Sequence, residues 1–318
     1  MKIFITGSAG FIGFYTAKLL LEEGHTVVGL DNFNDYYDVQ LKEARHAQLE
    51  EFGNYTGVRG DLYDYPLLSN IFEKHQFDRV CHLAAQAGVR YSIANPFAYQ
   101  ESNLKGFLNI LEVCRHHHIK RLVYASSSSV YGGNKTIPFS EEDRVDHPVS
   151  LYAATKKANE LMAHSYTHLY GFQSIGLRFF TVYGPWGRPD MAYWLFTEAM
   201  LKQQPIKVFN HGDMQRDFTY IDDIVAGIKA ALFADGLAPY EIFNLGNNQP
   251  ERLMDMITYL GEALGIQPQM KMLPMQPGDV PITFANIDKA KTKLAYQPTT
   301  PLKDGLSYFV EWFRGKKR

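Results

Sequence analysis

Apolar residues fall along this chain in short runs, separated by stretches in which they recur every three or four positions. The first run, 2–6, stops at Gly7, and a helical pattern follows through Phe14, Ala17 and Leu19 to Leu21. Runs at 26–30, 56–60, 79–83, 121–125 and 173–178 repeat the motif, with helical patterns at about 39–52, 66–75, 96–117 and from 150 onward. Short, nearly continuous apolar runs fit strands buried on both faces. Strands alternating with helices require a parallel sheet covered on both sides. The pattern therefore predicts an α/β fold, a doubly wound parallel sheet over 1–180 with a later contribution from about 207–245. Past residue 180 the alternation fades. A helix over 191–203, a strand over 206–209, a helix ending near 234, a strand over 241–245 and helices over 253–264 and 302–313 remain, joined by segments holding Pro274, Pro277 and Pro281. That part, 181–318, predicts a smaller C-terminal substrate-binding lobe.

Composition adds mostly exclusions. The 318 residues are 46% apolar and 21% charged, enough for a packed core. A net charge of −2 offers no electrostatic footprint for nucleic acid or a membrane surface. The first apolar run breaks at Gly7, too early for a signal peptide, and none approaches the length that spans a bilayer. Cys81 and Cys114 sit in apolar settings, which predicts buried thiols and fits a reducing, cytoplasmic compartment. His116, His117 and His118 are adjacent on a helical stretch and point to different faces, so no metal site is expected.

Candidate chemistry clusters at the predicted strand ends. Gly7, Gly10 and Gly13 follow the first strand at intervals of three. The first allows the turn, the second lets a diphosphate approach the backbone, and the third lets the helix pack on the strand. Free N–H groups at the helix start then face an anion. Asp31 closes the second run 18 residues past Gly13, where a ribose-binding carboxylate belongs. The alternative is an ordinary strand–helix turn with a surface aspartate. Asp61 ends the third strand, placed either to bind an adenine amino group or to cap the next helix. The small residues of Ala84-Ala-Gln-Ala-Gly88 leave room for a flat ligand. Tyr152 and Lys156 are four apart and share a helix face, where an ammonium favours the phenolate. Ser126 to Ser129 end the fifth strand at the same sheet edge.

In this order the motifs resemble the extended short-chain dehydrogenase/reductases with a Rossmann sheet, in the nucleotide-sugar epimerase/dehydratase branch. They are Thr6-Gly-x-x-Gly-x-x-Gly13, Asp31, Asp61-Leu62, Leu83-Ala-Ala-Gln-Ala-Gly-Val-Arg90, Ser-Ser-Ser-Val-Tyr-Gly132, Tyr152 with Lys156, and Gln215-Arg-Asp-Phe-Thr-Tyr-Ile-Asp-Asp223, and they span nearly the whole chain. Within the branch, 87–92, 151–157 and 179–191 are most similar to the UDP-glucuronate 4-epimerases. The resemblance implies NAD-dependent conversion of UDP-glucuronate to UDP-galacturonate through a 4-keto sugar. It makes Tyr152 the base at the C4 hydroxyl, Lys156 the holder of the nicotinamide ribose and Ser127 a hydrogen-bond partner of the reacting oxygen. It lines the NAD site with Gly7, Gly10, Phe11, Ile12, Gly13, Asp31, Asn32, Asp61, Leu62, Ala84, Gln86, Asn103 and Tyr183. Arg216 is implied at the UDP diphosphate, a role suited to a bidentate guanidinium, with Ser128, Ser129, Thr181 and Arg188 as candidates for the uronate carboxylate. Gln276 stands where other members often place a second phosphate-binding arginine, which leaves Asp279 and Gln276 as further candidates at the substrate. A homodimer through the helices near 96–117 and 150–170 is also implied. Other activities of the branch are UDP-glucose 4-epimerisation and UDP-glucuronate decarboxylation; a non-catalytic NAD-binding sensor is the alternative from another class. In the decarboxylases and dehydratases an acid follows the catalytic hydroxyl, whereas here Ser127 is followed by Ser128, Ser129 and Val130.

Overall fold

The computed structural model describes residues 1–276 and 280–316. The first half alternates as the run pattern predicts: β1 (Lys2–Thr6), α1 (Phe11–Glu22), β2 (Thr26–Asp31), α2 (Val39–Glu50), β3 (Tyr55–Arg59), α3 (Tyr65–Lys74) and β4 (Arg79–His82). The connection to β5 (Arg121–Ser127) holds α4 (Tyr91–Ala94), α5 (Pro96–Tyr99), a π-helical turn over Gln100–Lys105 and α6 (Gly106–His116). The single helix expected over 96–117 is thus wound unevenly at its start. α7 (Leu151–Tyr170) and β6 (Gln173–Phe179) complete this half.

The second half holds β7 (Thr181–Tyr183), α8 (Ala192–Leu201), β8 (Ile206–Val208), β9 (Gln215–Tyr220), α9 (Ile221–Phe233) and β10 (Tyr240–Leu245). β11 (Pro250–Arg252), α10 (Leu253–Leu264), β12 (Met270–Met272), α11 (Asp288–Leu294) and α12 (Leu302–Lys316) follow. Among the described residues the main sheet has seven strands, in the order β10-β6-β5-β4-β1-β2-β3, and every neighbouring pair in it is parallel. β10 therefore returns from the second half to the sheet edge, and α9 packs on α1.

Successive strand residues feed different cores, which is why the runs are apolar throughout rather than alternating. Ile3, Ile5, Val27, Cys81 and Val123 pack into one cluster. Phe4, Val28, Val80 and Leu122 pack into the other, on the opposite face. Both cysteines are free and buried, and burial pushes their thiols far above the usual range. No helix among the described residues is long and apolar enough to cross a membrane.

The second half adds a small sheet, β11-β9-β7, and a two-stranded one, β12-β8. Its packing is aromatic: the Tyr193 and Phe309 rings lie 4.8 Å apart and those of Trp194 and Phe313 5.0 Å. The Asp217 carboxylate, fully buried on β9, ties loops together by accepting from the backbone N–H groups of Asn247, Asn248 and Ala285.

Candidate active site

The carboxyl ends of the parallel strands open into a cavity of about 250 Å³, where ligands bind in open α/β sheets. At its base is the turn between β1 and α1. Gly7 has φ +74°, and a Cβ on it would come within 2.9 Å of the Ala84 backbone nitrogen. A Cβ on Gly13 would overlap the Gly7 carbonyl oxygen, so α1 packs this closely only because that position is bare. Gly10 caps α1 without a side-chain acceptor. Phe11, Ile12 and Gly13, the first turn of α1, line the cavity, and their N–H groups lack intrahelical partners. The positive end of α1 is thereby presented to an anion.

On the adjoining wall Asp31 accepts from the backbone N–H groups of Ala9 at 3.1 Å and Phe33 at 2.9 Å. Its remaining lone pairs suit hydroxyl donors. The Asn32 amide donates to Asp61 at 2.6 Å. The cap of α3 is Asp64, whose carboxylate accepts from the Leu67 N–H at 3.0 Å, so Asp61 is left on the cavity wall beside Leu62, Ala84 and Gln86. An anion cradle next to carboxylates placed for hydroxyl groups fits a dinucleotide such as NAD.

The reactive cluster stands further along the same cavity. Ser150 caps α7, its hydroxyl accepting from the Ala153 N–H at 3.1 Å. This sets Tyr152 and Lys156 one turn apart, facing the sheet. The Lys156 ammonium is buried and donates to the Ala125 carbonyl at the end of β5, at 2.9 Å. Burial lowers its pKa to about 8. The Tyr152 ring meets Tyr99 edge-on, with centroids 6.1 Å apart. Burial raises the Tyr152 pKa, while a hydrogen bond from Ser127 and the charge of Arg188 pull it down. The single bond to the Ala125 carbonyl leaves Lys156 two further N–H donors, and Arg188 is a second cation near Tyr152, whose charge favours the phenolate.

Other candidates divide. Arg188 lines the cavity, and the 3₁₀ turn carrying Ser128 and Ser129 begins directly after Ser127, whose hydroxyl accepts from the Ser129 N–H at 3.2 Å. Thr181 opens β7 between Phe180 and Val182, both on the cavity wall. Arg216 lies on β9, its Nη1 donating to the Gln215 and Pro281 carbonyls. Asp279 lies outside the described residues. Ser128, Ser129, Thr181 and Arg216 are not themselves on the cavity wall, and two residues expected around NAD are not either. Asn103, 2% exposed, uses its amide to brace the wall: it accepts from the Gln86 N–H and donates to the Gln86 carbonyl and to Thr155. Tyr183 is fully buried among Tyr193, Phe218 and Tyr220, with its hydroxyl on the Pro301 carbonyl at 3.3 Å. Asn34, Tyr36, Tyr37 and Lys42 line the cavity without having been singled out. Their signal was position, a polar-aromatic loop directly after the carboxyl end of β2.

The profile of the family described as the NAD dependent epimerase/dehydratase family matches residues 3–246. The chain is 49% identical over 331 residues to UDP-glucuronate 4-epimerase 2 of Arabidopsis thaliana, covering 99% of this chain and 76% of that protein. The crystal structure of UDP-glucuronic acid 4-epimerase from Bacillus cereus, in complex with UDP-glucuronic acid and NAD, is similar with a TM-score of 0.94 at 36% identity, over 99% of this chain and 100% of that one. A UDP-glucose 4-epimerase from Thermotoga maritima, with UDP-glucose, gives 0.91 at 30% identity, each chain covered in full.

Proposed function

The chain belongs to the NAD-dependent epimerase/dehydratase family, and from that premise we propose that it interconverts UDP-glucuronate and UDP-galacturonate by NAD-dependent 4-epimerisation. The observation that carries this reading is one cavity shared by a dinucleotide cradle and the Ser127, Tyr152 and Lys156 cluster. NAD, when bound, takes hydride from C4 and returns it to the opposite face. Gly7, Gly10 and the first turn of α1 hold its diphosphate, Asp31 its adenine ribose, and Lys156 the ribose beside the nicotinamide. Tyr152 removes the C4 hydroxyl proton and later gives it back. Ser127 holds the reacting oxygen in line with Tyr152, and the charge of Arg188 favours the phenolate.

Oxidation at C4 makes a uronate a β-keto acid. Such an acid loses CO₂ readily when the bond to its carboxylate stands perpendicular to the ketone plane. An epimerase has to hold that carboxylate near the plane, and neutral donors do so without repelling it. In this reading Ser128, Ser129 and Thr181 fill this role together with Arg188, and Arg216 reaches the diphosphate. Removing one hydrogen bond to the carboxylate, by Ser129→Ala or Thr181→Ala, weakens uronate binding about tenfold. It also raises the UDP-pentose fraction above the wild-type trace, as read by NMR of the products. An unchanged product ratio in both variants removes the two residues from the carboxylate site, and pentose as the main wild-type product overturns the epimerase reading.

The active species in this reading is a homodimer. Phe97, 73% exposed, stands with Ile93, Leu161 and Leu169 on the outer face of α4, α5 and α7, apolar surface for a second copy to cover. A cytoplasmic location belongs to the same reading, supported by two buried cysteines that form no disulfide.

A further inference from the structure

The loop 184–190, which carries Arg188, belongs by sequence to the second half of the chain, yet the cofactor side holds it in place. Arg45 on α2 is fully buried. Its guanidinium donates to the carbonyls of Trp186 and Gly187, to the carbonyl of Ala9 beside the glycine turn, and to the Tyr37 hydroxyl. Tyr15 on α1 donates to the Pro185 carbonyl at 3.2 Å.

The last tether reaches the side chains themselves. Both Asp190 oxygens engage Arg188, at 3.0 Å to Nε and 2.5 Å to Nη2. The Tyr36 hydroxyl, from the loop between β2 and α2, donates to Asp190 Oδ2 at 3.0 Å. Tyr36 is itself fixed. Its ring lies 4.8 Å from that of Tyr91, and its hydroxyl is so near Gly88 that a Cβ there would come within 2.6 Å. Burial raises the Tyr36 pKa to about 12, so it stays a donor, while Arg188 holds Asp190 below the usual carboxylate range as an acceptor.

With Nε and Nη2 committed to Asp190, the Nη1 group of Arg188 has no hydrogen-bond acceptor among the described residues. Arg188 and Tyr36 line the same cavity as Tyr152. Arg45 and Tyr15 already clamp the loop through its backbone, and a clamp alone would not need a cavity-facing guanidinium.

We infer that Asp190 is a positioning residue for sugar recognition and Tyr36 the strut that ties it to the cofactor-side loop. Together they hold Arg188 with Nη1 presented to the carboxylate of the bound uronate. The inference rests on the uronate epimerase reading and adds a dependence to it: recognition of the acid depends on order in a loop that also lines the cofactor site.

The test is a double-mutant cycle on the full-length protein, with kcat and KM for UDP-glucuronate and the inhibition constant of UDP as readouts. Removing a partner from a charged hydrogen bond raises the KM roughly tenfold in Tyr36→Phe and roughly 10- to 100-fold in Asp190→Asn, with smaller changes in kcat. UDP inhibition stays at the wild-type value, because UDP has no uronate group. In an Arg188→Gln background both effects largely vanish, since the two residues act through Arg188. Effects that persist in full in that background, or an equal loss of UDP binding, overturn the inference. Tyr36→Phe removes a single oxygen and decides the matter alone where Asp190→Asn does not fold. A wild-type protein without 4-epimerase activity overturns both readings, whereas an active one with unaffected variants overturns only the positioning pair.

Discussion

Tyr152→Phe lowers turnover of UDP-glucuronate by about 10²- to 10⁴-fold, the usual loss on removing a positioned proton acceptor. The substitution keeps the ring and its edge contact with Tyr99. Lys156 stays on the Ala125 carbonyl and the Ser150 cap is untouched. Melting temperature and NAD affinity should therefore match wild type. Steady-state rates and an NAD titration on the same preparation separate loss of the base from loss of the site. Activity near wild type shows that another group takes the proton. The phenol is the vulnerable point because burial works against its ionised form, with Ser127 and Arg188 acting the other way.

The second large effect lies behind the serine strand. Glu160, one turn beyond Lys156 on α7, is buried and pairs with Arg178 of β6 through both oxygens, at 2.8 and 2.9 Å. Ser126 donates to Glu160 at 2.7 Å. Arg178 also donates to the Tyr131 hydroxyl, which donates in turn to Asn244 on β10. One buried chain thus links α7, β5, β6, β10 and the turn holding Ser128 and Ser129. Arg178→Met removes the bidentate partner of the buried Glu160 carboxylate and leaves it Ser126 and a longer ion pair with Lys157 at 3.6 Å, and losing one partner of such a buried pair costs about 3–5 kcal/mol. Thermal unfolding should begin roughly 10 °C lower. Pairing Arg178→Met with Glu160→Leu recovers most of the loss, because the unmet charge goes too. A single variant that melts with wild type shows that Lys157 and Ser126 are enough to hold the Glu160 charge.

The main sheet was legible because its inner strands are buried on both faces, although the edge strand β3 exposes Thr56, Gly57 and Arg59. Ile3 and Phe4 feed different cores, so the run has no polar interruption to confuse with a helix. The glycine turn, Asp31 and the Tyr152/Lys156 pair were legible because their spacing is itself the geometry. The three-residue strands β7, β11 and β12 were not, since so short a segment shows little period; β8, equally short, was marked by the alternation Ile206-Lys-Val208. β9 was hidden by its polar start, Gln215-Arg-Asp217, where the buried acid is satisfied mainly by backbone N–H groups of loops far off in sequence. Asn103 and Tyr183 carry side-chain contacts that a motif does not show. Each lies near the cavity in sequence, yet one side chain is consumed by Gln86 and Thr155 and the other by the aromatic core. The hold of Tyr36 and Arg45 on the Arg188 loop spans more than 140 residues and leaves no local pattern.

The central claim is that C4 is oxidised and then reduced within one closed site, where the dinucleotide cradle and Tyr152 share a cavity. Incubating the wild-type protein with UDP-glucuronate deuterated at C4 and following the products by NMR tests it directly. The account predicts UDP-galacturonate that keeps its deuterium at C4, because the hydride leaves and returns without meeting water. Loss of the label to solvent, or a UDP-pentose as the main product, would contradict it.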